Sequence, residues 1–148
     1  MYKILLATDG SPSAAKAVEE TAKIAAPLNA EVTVLSVISH AVDVSDYISL
    51  NLDEELKQFA NDYRKAIEVK CNEIVDNAVK PLKEKGIKVN AKVVPGDPAA
   101  TIARIAEEEN YDLIIMGNRG LNKAQELFLG SVSNKVAHLA KTSVLIVK

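Results

Sequence analysis

Five short apolar runs, at Tyr2–Thr8, Glu31–Ile38, Ile87–Val93, Asp112–Met116 and Ser143–Lys148, alternate with segments whose apolar residues recur every three or four positions. Strands alternating with helices require a parallel sheet covered on both faces and joined by right-handed crossovers. The third run alternates polar and apolar residues, as an edge strand with one wet face does. The fourth is continuously apolar and reads as central. A strand order of 3-2-1-4-5 satisfies both. The expected fold is therefore α/β: a single three-layer domain over residues 1–148, its five-stranded parallel sheet flanked by helices on both faces.

The intervening segments carry their own start and stop signals. Ser11-Pro12 opens the first helix, with Ser11 as N-cap and Pro12 at the first helical position, where its missing N–H costs nothing. Ala14, Val18, Thr21 or Ala22, Ala25 and Leu28 form its stripe, and Asn29 stops it. A long helix carries Leu56, Phe59, Tyr63, Ile67, Cys71, Ile74, Ala78 and Leu82 on one face. Pro81 is expected to kink or end it, and Gly86 suits its C-cap. Asp97 caps a third helix that turns Ile102, Ile105 and Ala106 inward, and Asn110 ends it. The polar stretch from Ser39 to Asn51 reads as a loop long enough to form a lid.

Strand order also fixes where a ligand sits. Ligands of open α/β sheets bind beyond the carboxyl ends of the strands at the topological switch point, here between strands one and four. Asp9 and Gly117 end those strands. From Gly117 the chain runs Gly117-Asn118-Arg119-Gly120, then nine residues, then Gly130-Ser131 and an amphipathic segment, Val132–Ala140. Glycine admits close backbone approach, and a helix N-terminus adds roughly half a positive charge. That arrangement, with Ser131 as helix cap, suits phosphate.

Composition excludes several alternatives. With 18 basic and 20 acidic residues interleaved, the chain has no basic footprint for nucleic acid, and without Trp it lacks a base-stacking platform. Ile4-Leu5-Leu6-Ala7 is too short for a signal-peptide core, and no apolar stretch approaches the roughly 20 residues that span a bilayer. No membrane partner and a cytoplasmic location are expected. One cysteine, Cys71, rules out an internal disulfide and multi-Cys zinc patterns, and its place on the long helix's stripe marks it as core. His40 and His138 have no second ligand at metal spacing.

Glycine, two residues, glycine, nine residues, glycine, then Ser (Gly117, Gly120, Gly130 and Ser131), together with Ile4–Ser11 and Ser143–Val147, resembles the universal stress protein family in its ATP-binding branch. The resemblance covers the whole chain. It implies that Ala7, Thr8 and Asp9 line the nucleoside side, with Asp9 on the adenosine moiety. Val37 would meet the adenine edge through its backbone, and Met116 and Gly117 would lie beside the ribose. Gly120, Gly130, Ser131, Val132 and Ser133 would hold the phosphates. It further implies a homodimer and a role in stress survival.

Other readings compete at several of these positions. Asp9 is either a turn residue before Gly10 or a nucleotide contact, direct or through Mg²⁺; its place at the switch point favours the contact. Arg119 and Lys123 are either solvated loop charges or shields for the β- and γ-phosphates. Ser131 and Ser133 have no strong base nearby and read as cap and phosphate donors rather than nucleophiles. The apolar last strand lies at an edge and is either shielded by the last helix and Lys148 or covered by a second copy; the apolar run favours a homodimer through Ser143–Lys148.

The expected function is an ATP-binding regulatory or sensor protein with little or no hydrolysis, since the Walker pattern Gly-x-x-x-x-Gly-Lys-Ser/Thr is absent. The alternative is a slow ATPase or ATP-dependent transferase using Asp9 and a divalent metal, Mg or Mn. A phosphoacceptor receiver domain shares the layout but needs an acidic cluster after strand one, an acceptor Asp after strand three and a Lys after strand five. Asp9 stands alone, Asp97 belongs to a capping turn, and the chain ends at Lys148.

Overall fold

A computed structural model describes residues 1–39, 53–120 and 129–148. The Ser39–Asn51 lid beyond Ser39, His40 and Lys123 lie outside the described residues. The elements are β1 (Lys3–Ala7), α1 (Pro12–Leu28), β2 (Glu31–Ile38), α2 (Glu54–Glu84), β3 (Lys88–Pro95), α3 (Pro98–Glu108), β4 (Leu113–Gly117), α4 (Ser131–Leu139) and β5 (Ser143–Val147). All paired strands are parallel, and the order is β3-β2-β1-β4-β5. The expected topology, with its switch between β1 and β4, is observed.

Strand alternation sorts the apolar side chains into two layers. Ile4, Leu6, Val32, Val34 and Ile115 pack beneath α1 and α2 against Ala17, Ala22, Val75, Ala78 and Leu82. Leu5, Ala7, Leu35, Ile114 and Met116 face α3 and α4, against Ala99, Ile102, Ile105 and Val136. Alanines along α1 let that helix lie close on the sheet. The central strands are buried on both faces, and β3 and β5 contain no buried residue. That is the burial gradient of an open sheet with two edges.

Helix caps follow the sequence at most ends. Ser11 accepts a hydrogen bond from the Ala14 N–H, Asp97 accepts one from Ala100, and Asn29 closes α1 in the left-handed conformation at φ 48°. Three expectations need correction. Burial on α1 stops at Ala25, and Leu28 is 51% exposed because the chain already reverses there, with the Ala30 N–H donating to the Ala25 carbonyl. Pro81 does not end α2, which continues to Glu84. The only helical bond Pro81 forfeits would go to the carbonyl of Asn77, an exposed residue where water can substitute. Finally, the stripe on α2 is buried only from Cys71 onward; Leu56, Phe59 and Tyr63 are exposed, because α2 outruns the sheet it covers.

A polar cluster pins the edge strand. Lys92 of β3 pairs with Glu109, Tyr111 donates to Thr33 of β2 at 2.8 Å, and the Lys3 ammonium lies 4.6 Å from the Tyr111 ring centroid. The hydrogen bond from Lys92 holds the Glu109 carboxyl below the usual carboxylate range, against the opposing pull of burial. A carboxyl depressed on folding adds stability that is complete above the ordinary carboxylate pKa, about 4.3. That stability is lost as pH falls through the lower folded value. The Glu109 side chain is 39% exposed, so solvent screening keeps the contribution small. Urea titrations between about pH 6 and pH 3 should therefore show a shallower acid decline for Glu109→Gln than for the parent.

Candidate functional site

Two loops meet where β1 and β4 end. After β1, Asp9 accepts a hydrogen bond from the Ser11 N–H at 2.9 Å through one carboxylate oxygen, and Gly10 turns at φ 78° to start α1. After β4, Gly117 sits against the first turn of α1. A Cβ on Gly117 would lie 2.1 Å from the Ser13 hydroxyl oxygen and 2.7 Å from the Ser13 carbonyl carbon. The loop is then held from below. The Arg119 carbonyl accepts hydrogen bonds from Ser11 at 3.1 Å and Ser13 at 2.9 Å, while the Arg119 N–H donates back to Ser13 at 3.2 Å.

The second glycine segment closes on the first. The Gly130 N–H donates to the Asn118 carbonyl at 2.7 Å, and the Ser133 hydroxyl donates to the Asn118 and Gly130 carbonyls, each at 3.0 Å. The Asn118 N–H in turn donates to the Val147 carbonyl at the end of β5, at 2.9 Å. Gly130, not Ser131, is the N-cap of α4, and it supplies no side-chain acceptor. The Ser131 reading as cap is corrected: Ser131 is the first helical residue. A serine at 130 would bring a Cβ 3.0 Å from the Asn118 carbonyl oxygen and 3.2 Å from Arg119 Cα, so the closure favours glycine there. The amides of the first turn of α4 therefore meet no side-chain cap and face a cavity. A helix terminus left in this state is ready to receive an anion.

That cavity has a volume of about 770 Å³, in the range of small-molecule sites. Every sequence-predicted position lines it: Ala7, Thr8, Asp9, Val37, Met116, Gly117, Arg119, Gly120, Gly130, Ser131, Val132 and Ser133. Their roles differ from one another in kind. Ser133 is 2% exposed and its hydroxyl is engaged with the loop carbonyls, so what it can offer a ligand is its main-chain N–H. Asp9 faces Gly120, where a Cβ would approach its other carboxylate oxygen to 2.9 Å. Arg119 is partly buried and its backbone anchors the loop.

Sequence reasoning missed one wall and one support. The wall is Leu35, Pro98 and Ile102, on the β2 and α3 side; with Val37 and Met116 it makes that end of the cavity apolar. Pro98 and Ile102 share the inward face of an ordinary core helix, so spacing could not set them apart. The support is Ser13. Nothing in the spacing around the Ser11 cap marks Ser13 out, since its bonds to Arg119 cross more than a hundred residues. His138 is exposed, with Nδ1 2.8 Å from the Asn134 carbonyl oxygen, and takes no part. Among the described residues there is no cluster of three metal-ligating side chains, and no helix is long and apolar enough to cross a membrane.

Comparison with known proteins agrees with this geometry. The profile of the universal stress protein family matches residues 1–148. The chain is 33% identical over 146 residues to the universal stress protein YxiE of Bacillus subtilis, covering 99% of this chain and 98% of that one. It is 33% identical over 155 residues to universal stress protein MJ0577 of Methanocaldococcus jannaschii, covering 100% and 96%. The solved structure of MJ0577 has a TM-score of 0.82 to this fold at 32% identity, over 99% of this chain and 94% of that one. A universal stress protein solved in complex with cAMP has a TM-score of 0.67 at 26% identity, over 99% and 95%.

Gly117 and Gly120 should respond differently to substitution. Gly117→Ala drives a methyl into the backbone of α1, 2.8 Å from the Ala14 nitrogen, and should cost about 1–3 kcal/mol or more. Gly120→Ala meets only the end of the Asp9 side chain and should cost less than about 1 kcal/mol. Urea denaturation of the two variants decides whether the close approach is real.

Proposed function

The chain belongs to the universal stress protein family, and on that footing we propose that it is a cytoplasmic stress-response protein that binds ATP and regulates or senses through it, with little or no hydrolysis. The observation that carries this reading is that α4 begins at Gly130 without a side-chain cap and that its first turn, Ser131, Val132 and Ser133, lines a cavity of nucleotide size. The strand order separates two chemistries across that cavity. The apolar wall on the β2 and α3 side suits a flat base, and the glycine segments on the β4 and α4 side suit phosphates. The relative solved with cAMP carries an adenine nucleotide on the same fold.

In this reading Ala7, Thr8, Asp9 and Val37 hold the nucleoside, Met116 and Gly117 flank the ribose, and Gly120, Gly130, Ser131, Val132 and Ser133 hold the phosphates. Arg119 adds positive charge at the phosphate end. The grip is mainly main-chain, and the Walker pattern that sets a lysine at the phosphates is absent from the sequence. Transition-state stabilisation at that group is weak, and turnover should stay below about 1 per second. One observation favours a metal partner. The Asp9 carboxylate lies against Gly120, where a polyphosphate would meet it, and two anions at that range repel unless a divalent cation joins them. Mg or Mn therefore belongs with ATP here, and a slow Asp9-dependent hydrolysis is the second reading.

Thermal denaturation with ATP, ADP, AMP and GTP, each with and without Mg²⁺, tests the proposal. ATP at 100 times its dissociation constant should add about 2.7 kcal/mol to stability. GTP should shift stability less, and Mg²⁺ should matter more for ATP than for AMP. Gly130→Val should lose the ATP shift, because a side chain there displaces the loop it closes on. Equal shifts in both proteins would place the nucleotide elsewhere.

We also read β5 as a homodimer edge. Val144, Leu145, Ile146 and Val147 are only partly buried by their own chain, and Leu139 beside them is 55% exposed. Two-fold pairing of β5 strands would cover this edge and engage its outward-facing N–H and C=O groups. Amide hydrogen exchange should then be slow at alternate β5 positions and accelerate on dilution; fast exchange at every concentration would exclude the pairing.

A further inference from the structure

We propose that the projecting first half of α2 is a self-association arm that pairs antiparallel with the same helix of a second copy of this chain. Ile74 packs beneath Gly10, where a Cβ would approach it to 3.0 Å, so Ile74 stands level with the carboxyl edge of the sheet. Helix α2 runs opposite to the strands, and the residues before Ile74 therefore rise above that edge. At 1.5 Å per residue, Glu54–Lys70 projects about 25 Å.

Along this whole stretch no residue is buried. It is nonetheless amphipathic: Leu56, Phe59, Tyr63 and Ile67 follow one another at helical steps of three and four. Phe59 is 70% exposed, Leu56 52% and Tyr63 49%. An isolated helix of this length is marginal in water, and an uncovered stripe with two aromatic rings is the mark of a contact surface.

Charge and shape both identify the occupant. The outer half of the arm carries Asp53, Glu54, Glu55 and Asp62 against Lys57; the inner half carries Arg64, Lys65 and Lys70 against Glu68. Laid antiparallel, each acidic outer half meets a basic inner half, bringing Glu55 opposite Lys70 and Lys57 opposite Glu68, with Tyr63 near the two-fold axis. A parallel partner is obstructed. The stripe shares its helix face with Ile74 and Pro81, and beside these lie Gly10 and, on α1, Ala15 and Val18. A second helix running the same way would drive its lower half into α1. An antiparallel one overlaps only the arm and leaves the two bodies at opposite ends.

Four apolar side chains from each copy remove on the order of 1,000 Å² from water, the low end of specific interfaces, which fits a reversible dimer. The contact is independent of nucleotide binding and of β5, which lies across the sheet from α2.

Disulfide trapping in a Cys71→Ser background tests the arrangement. Under mild oxidation Tyr63→Cys should give a covalent dimer and Leu56→Cys should not; dimers from Leu56→Cys alone would overturn the antiparallel register. Sedimentation equilibrium gives the second arm. Phe59→Asp should remove one association step, Lys70→Glu should weaken that step by at least about tenfold, and Glu55→Lys with Lys70→Glu should restore it. These residues lie outside the core, so folding is preserved. Failure of Tyr63→Cys to cross-link, or an unchanged mass for Phe59→Asp, would refute the proposal.

Discussion

The structure turns on the contact between the first turn of α1 and the glycine loop after β4. Gly117 has no side chain because the backbone of Ser13 and Ala14 occupies the space where one would go. Where the two segments touch, the hydroxyls of Ser11 and Ser13 reach the Arg119 carbonyl and hold the loop. Asn118 is thereby presented to Gly130, and the start of α4 is brought to the rim of the cavity. Each step depends on the one before it. A bulkier residue at 117 would separate the helix from the loop and dismantle the site at its base.

Most of the architecture could be read from the chain because local and global signals agree. Ser11-Pro12, Asp97-Pro98 and Asn29 mark helix ends by mechanisms that act within one turn, and they appear in the structure as caps and a left-handed residue. Strand order followed from which runs were apolar on one face or two. The cavity lining was legible for a related reason: the switch point and the glycine spacing both point to one place. What sequence could not show was how far a helix extends past its sheet. The periodicity of α2 is the same on both sides of Cys71, yet only the second half has strands beneath it. Ser13 stayed hidden because its partner, Arg119, is distant in sequence, and the Pro98–Ile102 wall because both residues also belong to an ordinary core helix. Ser131 was misplaced by one position because Gly and Ser are both good N-caps, and tertiary crowding from Asn118 and Arg119 made the choice.

The loop also links regions that are far apart in sequence. Asn118 accepts from Gly130 and donates to Val147, so a single peptide unit joins the start of α4 to the end of β5. Beneath the opposite loop, Ile74 of α2 supports Gly10. The two loops that end at the cavity are thus tied to elements on either side of it, Asn118 to β5 and Gly10 to α2.

The two edges of the sheet are chemically unlike. β3 carries Lys88, Asn90 and Lys92 and finishes at Pro95, while β5 reads Ser-Val-Leu-Ile-Val. Lysines and a proline discourage strand addition, and an apolar run invites it. Two chains joined along β5 would expose only β3 at either end of the ribbon they form. Strand addition would stop there, so the apolar edge that favours pairing carries little risk of nucleating an open-ended sheet.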